Sequence, residues 1–267
     1  MHKSVGVLVV AHNAAATLAA TLDRIPTDFR SRIDELIVLD DASLDETFEI
    51  GADWARRHSR LRTTVLRHTK HLGYGGNQKA GYRLALQHGL DVVVMLHGDG
   101  QYAPEALPRI VEPLLDGSAD AVFGSRMMTK AAARAGGMPL YRYLGHKILT
   151  GLENRLLGSE LTEFHSGYRG YRLDALPDVP FEHNSDGFDF DTQIIVQLLH
   201  ESKRILEVPV PTCHAVARAD RFAARVRPNL FAYQFSARLT PHHEDTVGAA
   251  GLLPNQSRAS DPRYAEF

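Results

Sequence analysis

A chain of 267 residues in which 44% of side chains are hydrophobic is long enough to bury one large α/β core. Its formal net charge of −2 at pH 7 gives no general attraction to nucleic acid, and a single cysteine, Cys213, excludes an intrachain disulfide. No stretch approaches the roughly 18–20 apolar residues of a membrane-spanning helix. The run Val5–Ala11 breaks at His12-Asn13 too soon for a secretory leader, so a cytoplasmic protein is expected.

That run reads as the first strand. Leu36–Leu39, Thr63–Leu66 and Val92–Leu96 follow as apolar strands, alternating with helical patterns over about Ala14–Arg24, Glu46–Arg57 and Gly76–His88. The βαβ succession predicts a mostly parallel, twisted sheet with helices on both faces. At the end of the second strand, in Asp40-Asp41-Ala42-Ser43-Leu44-Asp45, Asp41 suits the imide N–H of a base and Asp40 can do the same work. Ser43 and Asp45 suit a cap on the next helix. In Gly73-Tyr74-Gly75-Gly76-Asn77-Gln78-Lys79, Gly73 and Gly76 let the N–H groups of a helix start face an anion. Lys79 either contacts that anion or lies on the solvated face. The stretch lacks the Gly-Lys-Ser/Thr ending of a nucleotide-hydrolase phosphate loop.

Val92–Leu96 runs directly into His97-Gly98-Asp99-Gly100-Gln101. Ligands of parallel sheets gather beyond the carboxyl ends of the strands. Gly98 and Gly100 allow a sharp turn and leave room for a ligand. Asp99 and Gln101 offer oxygen ligands to Mg²⁺ or Mn²⁺, and a neutral His97 offers a nitrogen suited to Mn²⁺. The plainer alternative is that His97 ends a strand and Asp99 holds a turn.

Further along, a helix is expected after Pro104, a strand at Ala119–Phe123 and a helix over Leu140–Leu157. The Ala/Gly-rich Thr129–Pro139, with Lys130 and Arg134, reads as a mobile loop suited to a lid. An amphipathic helix over Phe188–Leu199 and a strand at Arg204–Val210 complete a compact domain that should end near Ala215. Residues 216–267 then form an extension. Its segment Ala219–Leu239 mixes Arg221, Arg225, Arg227 and Arg238 with Phe222, Phe231, Tyr233 and Phe235, and Pro228 interrupts any single helix. Such a segment either docks on the domain or makes peripheral contact with an anionic membrane or a second copy of the chain. Thr246–Phe267 is expected to be loose.

Taken in order, Val38–Thr47, Gly73–Gly81, the strand ending in His97–Gln101, Thr162-Glu163-Phe164-His165-Ser166-Gly167-Tyr168-Arg169 and Glu207-Val208-Pro209 resemble the family 2 glycosyltransferases. The similarity spans about residues 5 to 212. It is closest to the branch of dolichyl-phosphate mannose synthases and bacterial polyprenyl-phosphate glycosyltransferases. The resemblance implies a nucleotide-binding GT-A fold over residues 1–215 and metal-dependent, inverting transfer from a UDP- or GDP-linked sugar. The acceptor would be a polyprenyl phosphate or a soluble phosphate or hydroxyl compound. It implies donor contacts at Asn13, Asp40, Asp41, Gly73, Gly76, Lys79 and Gly98, and metal contacts at Asp99, Gln101, His97 and His214. Asp99, Glu163, Arg126 and Arg169 would be catalytic, and Arg126, Arg142 and His146 would meet the acceptor phosphate. Glu163 would be a general base for a hydroxyl acceptor, whereas an ionised phosphate needs none. His165 is a further candidate, while Asp189, Asp191 and Glu207 read as structural.

The chain departs from the family pattern at two places. His97 stands where the family's DxD begins with an acid, and His12-Asn13-Ala14 replaces a common Tyr-Asn-Glu. No apolar stretch corresponds to the carboxyl-terminal transmembrane helices of several relatives. The alternatives are a non-catalytic nucleotide-sugar-binding module and a sugar-phosphate nucleotidyltransferase. The latter requires a basic Gly-rich loop that does not follow the first strand.

Overall fold

The computed structural model describes residues 2–128, 140–211 and 264–266. The apolar runs form β1 (Val5–Ala11), β2 (Glu35–Asp40), β3 (Thr63–Arg67) and β4 (Val92–His97), which pair in parallel in the order β4-β1-β2-β3. Burial on both faces explains why their hydrophobicity is continuous rather than alternating. Val7, Val9, Val94 and Leu96 share one core with Leu18 and Leu107, while Leu8, Ile37, Leu39 and Met95 share the other with Tyr82 and Ile194.

β5 (Ala121–Ser125) and β7 (Ile205–Pro209) extend the sheet through β6 (Arg169–Arg172), which is antiparallel to both β4 and β5. Arg-Gly-Tyr-Arg carries no apolar run, so β6 was not among the expected strands; its neighbours on both sides make it one. β8 (Tyr264–Glu266) pairs in parallel with β3, giving the order β7-β5-β6-β4-β1-β2-β3-β8. The expectation of a loose final segment is therefore corrected for these three residues, to which the edge of β3 offers unpaired backbone groups.

Seven α-helices are seen among the described residues: α1 (Leu18–Asp23), α2 (Thr27–Arg30), α3 (Thr47–Arg57), α4 (Tyr74–Gln87), α5 (Leu107–Leu115), α6 (Leu140–Leu157) and α7 (Phe190–His200). α1 starts later than the apolar pattern suggests because the turn before it is tied elsewhere. Ala14 N–H donates to Thr47 Oγ1, and Thr17 Oγ1 donates to the Gly98 carbonyl, each at 2.8 Å. α6 carries Leu144, Ile148, Leu152 and Leu156 exposed at four-residue spacing, one stripe along a helix. No described helix is long and apolar enough to cross a membrane. The expected boundary near Ala215, the Thr129–Pro139 loop and the Ala219–Leu239 segment lie outside the described residues.

A Cβ on Gly170 in β6 would lie 2.8 Å from Ile110 Cγ2 and Leu114 Cδ1 and 3.0 Å from Val94 Cγ2. Gly170→Ala is therefore expected to lower stability by about 1–3 kcal/mol through overpacking. The measurement is a urea melt; a midpoint equal to wild type would contradict this packing of α5 on β6.

Candidate active site

The carboxyl ends of β1, β2, β4 and β5 and the amino end of β6 meet along one edge of the sheet, as the registers Val10↔His97, Ala11↔Asp40 and Phe123↔Arg169 require. Parallel strands bring their acids to this edge by chain direction alone.

At the β1–β2 end the polar residues hold one another. Asn13 and Ala42 both have positive φ, 50° and 53°. Asn13 N–H donates to Ser43 Oγ at 2.8 Å and its Oδ1 accepts from Leu44 N–H at 2.9 Å. Asp40, fully buried, accepts from the Ser43 N–H and hydroxyl and lies 3.5 Å from Arg67 Nε. Burial raises its pKa above the usual carboxylate value, opposed by its bonds to Ser43. Asp41 accepts from the N–H groups of Leu72 and Gly73 at 2.7 and 3.0 Å, and its Oδ2 lies 2.9 Å from His71 Nδ1.

The N–H groups at the start of α4, expected to face an anion, are taken up by a backbone carbonyl of the protein itself. Gly75 and Gly76 N–H donate to the Asp186 carbonyl at 2.7 and 3.3 Å, and a Cβ on Gly75 would fall 2.3 Å from the Ser185 carbonyl oxygen. A Cβ on Gly76 would fall 2.9 Å from Leu72 Cβ. Lys79 follows the same pattern, donating to the Asn184 carbonyl and pairing with Asp186 Oδ1 at 2.8 and 2.7 Å. Sequence spacing does not show that residues 182–187 close over this helix, so a phosphate role for Gly73, Gly76 and Lys79 has to share groups already bonded in the fold.

At the end of β4, Gly98 lets the turn approach β1: its Cβ position is 3.1 Å from Ala11 Cβ. Asp99 is exposed, and its Oδ1 accepts from Gln101 N–H at 2.9 Å. The His97 ring lies against Tyr74 and Tyr102, with ring centroids 5.6 and 5.0 Å apart, and its Nε2 is 3.1 Å from Tyr74 Oη. Burial pulls His97 below the ordinary imidazole pKa, leaving the ring neutral at pH 7. His97 Nδ1 is buried and has no hydrogen-bond partner among the described residues. A histidine nitrogen with a carboxylate two residues on and an amide four residues on is, by the chemistry of its donors, a set that fits Mn²⁺. His214 lies outside the described residues. Tyr74 and Tyr102 were not singled out from sequence, although both flank the motif residues they serve. Tyr74 passes the contact on to Asp191 Oδ2 at 2.9 Å, and Tyr102 Oη accepts from Gly167 N–H at 2.8 Å.

Beyond β5, Arg126 and Glu163 form a buried pair. Glu163 accepts from Arg126 N–H and Nε at 2.7 Å each and from Nη2. Glu207 fixes that acid by accepting from the N–H groups of Thr162 and Glu163 at 2.6 and 3.1 Å, in keeping with its structural reading. Arg169 is buried as well, donating to the carbonyls of Ser166, Asp191 and Phe164 at 2.8, 2.6 and 2.9 Å. Its place in β6 turns it into the protein, so the fold uses it as a staple between segments. His146 on α6 has its ring 5.9 Å from that of His165. The Arg142 side chain lies outside the described residues. Glu153, also on α6 and unnoticed in the sequence, is 2% exposed, and desolvation raises its pKa to about 7. His165 Nε2 lies 3.5 Å from it, and burial, aided by the charge of His146, lowers His165 to about 4. Near neutral pH His165 is therefore uncharged, and the pair is not an ion pair.

The family model for glycosyl transferase family 2 matches residues 6–179. The undecaprenyl-phosphate mannosyltransferase of Micrococcus luteus is 34% identical over 212 residues, covering 76% of this chain and 81% of that protein. The polyprenol monophosphomannose synthase of Mycolicibacterium smegmatis is 28% identical over 176 residues, 66% of this chain and 65% of the relative. Among solved structures, glucosyl-3-phosphoglycerate synthase from Mycobacterium tuberculosis, in complex with Mn²⁺, UDP and phosphoglyceric acid, superposes with a TM-score of 0.56. It is 20% identical, covering 78% of this chain and 68% of that one, and shows the shared GT-A fold.

The raised pKa of Glu153 means the folded state holds a proton that the unfolded state releases near pH 4.5. Its contribution is favourable at low pH and is lost as pH rises through about 7. Glu153→Gln removes that dependence. Its stability relative to wild type is expected to improve by about 2 kcal/mol between pH 5 and pH 8, measured by denaturant melts at both values. An unchanged difference would mean Glu153 ionises freely.

Proposed function

This chain belongs to glycosyl transferase family 2, and on that premise we propose that it moves a sugar, first of all mannose, from a UDP- or GDP-linked donor to the phosphate of a polyprenyl acceptor. The metal would be Mn²⁺ or Mg²⁺, held by Asp99 and Gln101 with His97 at hand. The observation that carries the reading is the contrast along one sheet edge: Asp40, Asp41, Glu163 and Arg169 are buried and bonded into the fold, while Asp99 is exposed where a leaving diphosphate would lie.

The state of Glu163 supports a phosphate acceptor over a hydroxyl. A general base must reach the proton it takes, and here Arg126 clamps both carboxylate oxygens inside the protein. A phosphate monoester brings its own ionised oxygen. That oxygen attacks the anomeric carbon as the bond to the nucleoside diphosphate breaks, the bonding pair leaves with the diphosphate oxygen, and the configuration inverts. Asp99 and Gln101 would hold a divalent cation there, which when bound would supply positive charge to the leaving diphosphate.

The remaining roles follow from position. Asn13, Asp40 and Asp41 shape the base end, and Gly98 keeps the turn close to β1. Arg126, Arg142 and His146 lie on the β5–α6 side, where guanidinium forks suit phosphate oxygens. Glu163 acts through Arg126 as a positioning residue. A membrane-borne acceptor would also give the exposed α6 stripe a surface to meet.

Asp99→Asn is expected to lower kcat by about 10²–10³-fold, the size of losing one charge-stabilising group from an active site. Chelation should abolish wild-type turnover, and Mn²⁺ should restore it. Polyprenyl phosphate should be glycosylated and the unphosphorylated polyprenol should not, with radiolabelled GDP- and UDP-sugars compared side by side. Undiminished turnover of Asp99→Asn at saturating donor and metal would overturn the site. Donor binding without metal-dependent nucleotide release would make the chain a binding module instead.

A further inference from the structure

Outside the Asp99 turn, the described residues contain one group of three metal-capable side chains: His12, Asp41 and His71, whose ligand atoms lie within 4.8 Å of one another. We propose that this group is a second cation site, selective for Zn²⁺ and similar imidazole-binding metals and separate from the Asp99 position.

Three elements far apart in sequence build it. His12 follows β1, Asp41 follows β2 and His71 lies in the loop that enters α4. The two rings lie side by side, tilted at 44° with centroids 4.6 Å apart. His12 Nδ1 is 2.8 Å from the Asp41 carbonyl oxygen; with that nitrogen donating, Nε2 carries the lone pair, which accepts from Asn13 Nδ2 at 3.0 Å and would exchange that amide for the metal. A ring N–H fixed on a carbonyl is the arrangement that orients metal-binding histidines. The Asp41 carboxylate is oriented in turn by the N–H groups of Leu72 and Gly73. His71 Nδ1 and Asp41 Oδ2 are already 2.9 Å apart, so a cation there would take the place of the proton they share.

The chemistry selects the metal. Two imidazoles and one carboxylate suit Zn²⁺, Ni²⁺ or Cu²⁺, whereas Mg²⁺ favours oxygen alone. In a tetrahedral zinc site, ligand atoms about 2.0–2.1 Å from the metal stand about 3.3 Å from each other. Both histidines are exposed, so small rotations of their rings close the present separations to that value while water fills the fourth position. Residues 72–73 already hang from Asp41, and the ion would pin His71 of the same loop to the ends of β1 and β2.

The test is direct titration of chelator-treated protein with Zn²⁺, without nucleotide, read by competition with a chromophoric chelator and by thermal melting. Wild type and Asp99→Ala are expected to bind one Zn²⁺ with equal affinity and to melt at a higher temperature with it. The His12→Gln/His71→Gln double variant, whose changes are confined to exposed rings, should bind at least tenfold more weakly and lose the thermal shift. Circular dichroism checks that it is folded. Equal Zn²⁺ affinity in the double variant, or loss of the site in Asp99→Ala, would overturn the proposal. The Asp99 experiments with Mn²⁺ stand or fall separately.

Discussion

At the carboxyl end of β5, Arg126 and Glu163 are taken out of water together, and much of the surrounding architecture exists to make that tolerable. Removing each ion from water costs several kcal/mol even after the protein relaxes, and the pair offsets this only when its other hydrogen-bonding positions are also filled. Glu163 therefore accepts a backbone N–H as well as two guanidinium nitrogens. Glu207 from β7 grips the peptide that carries it, and Ser125 meets Thr162 at 2.7 Å between the same two segments. Two strands and the loop before β6 are thus fixed around one charge pair. Burial drives the nearby Glu153 and His165 toward neutrality, and for His165 it outweighs the charge of Glu163.

The same rule governs the other buried charges along this edge, with backbone groups added to the side-chain partners. Asp41 is answered by amide groups, Lys79 and Arg169 by carbonyls, and Asp40 by a serine turn. A charge held by fixed peptide dipoles needs little reorganisation when a ligand arrives, which is the condition for electrostatic stabilisation in a site that excludes water. Asp99 is left with a single backbone partner among the described residues, and with exposure.

How legible this was from sequence depends on how local the cause is. β1 to β4 were readable because burial on both faces writes an uninterrupted apolar run. β6 was not, since Arg-Gly-Tyr-Arg becomes a strand only between two neighbours, and α2 is a single turn. Within the site, the Asp99 turn and the acids after β2 were visible because chain direction alone brings them to the sheet edge. The partners of Arg169 and Lys79 were invisible: these long side chains reach carbonyls of Asp191 and Asn184, which no spacing rule connects to them. His71 was missed although it lies two residues before a glycine that was noted, because only the fold sets it against Asp41.

β6 also divides the molecule mechanically. β1 to β4 pair with one another in parallel, whereas β5 and β7 reach the rest of the sheet through these four residues. Local unfolding in proteins proceeds in cooperative blocks bounded by such sparse connections. Loss of β6 would remove the hydrogen-bonded link between the Arg126–Glu163 side and β4, while β1 to β4 would keep their own pairing. On that pairing, amide hydrogens in β5 and β7 would exchange in step with β6, and those of β1 and β2 would outlast them.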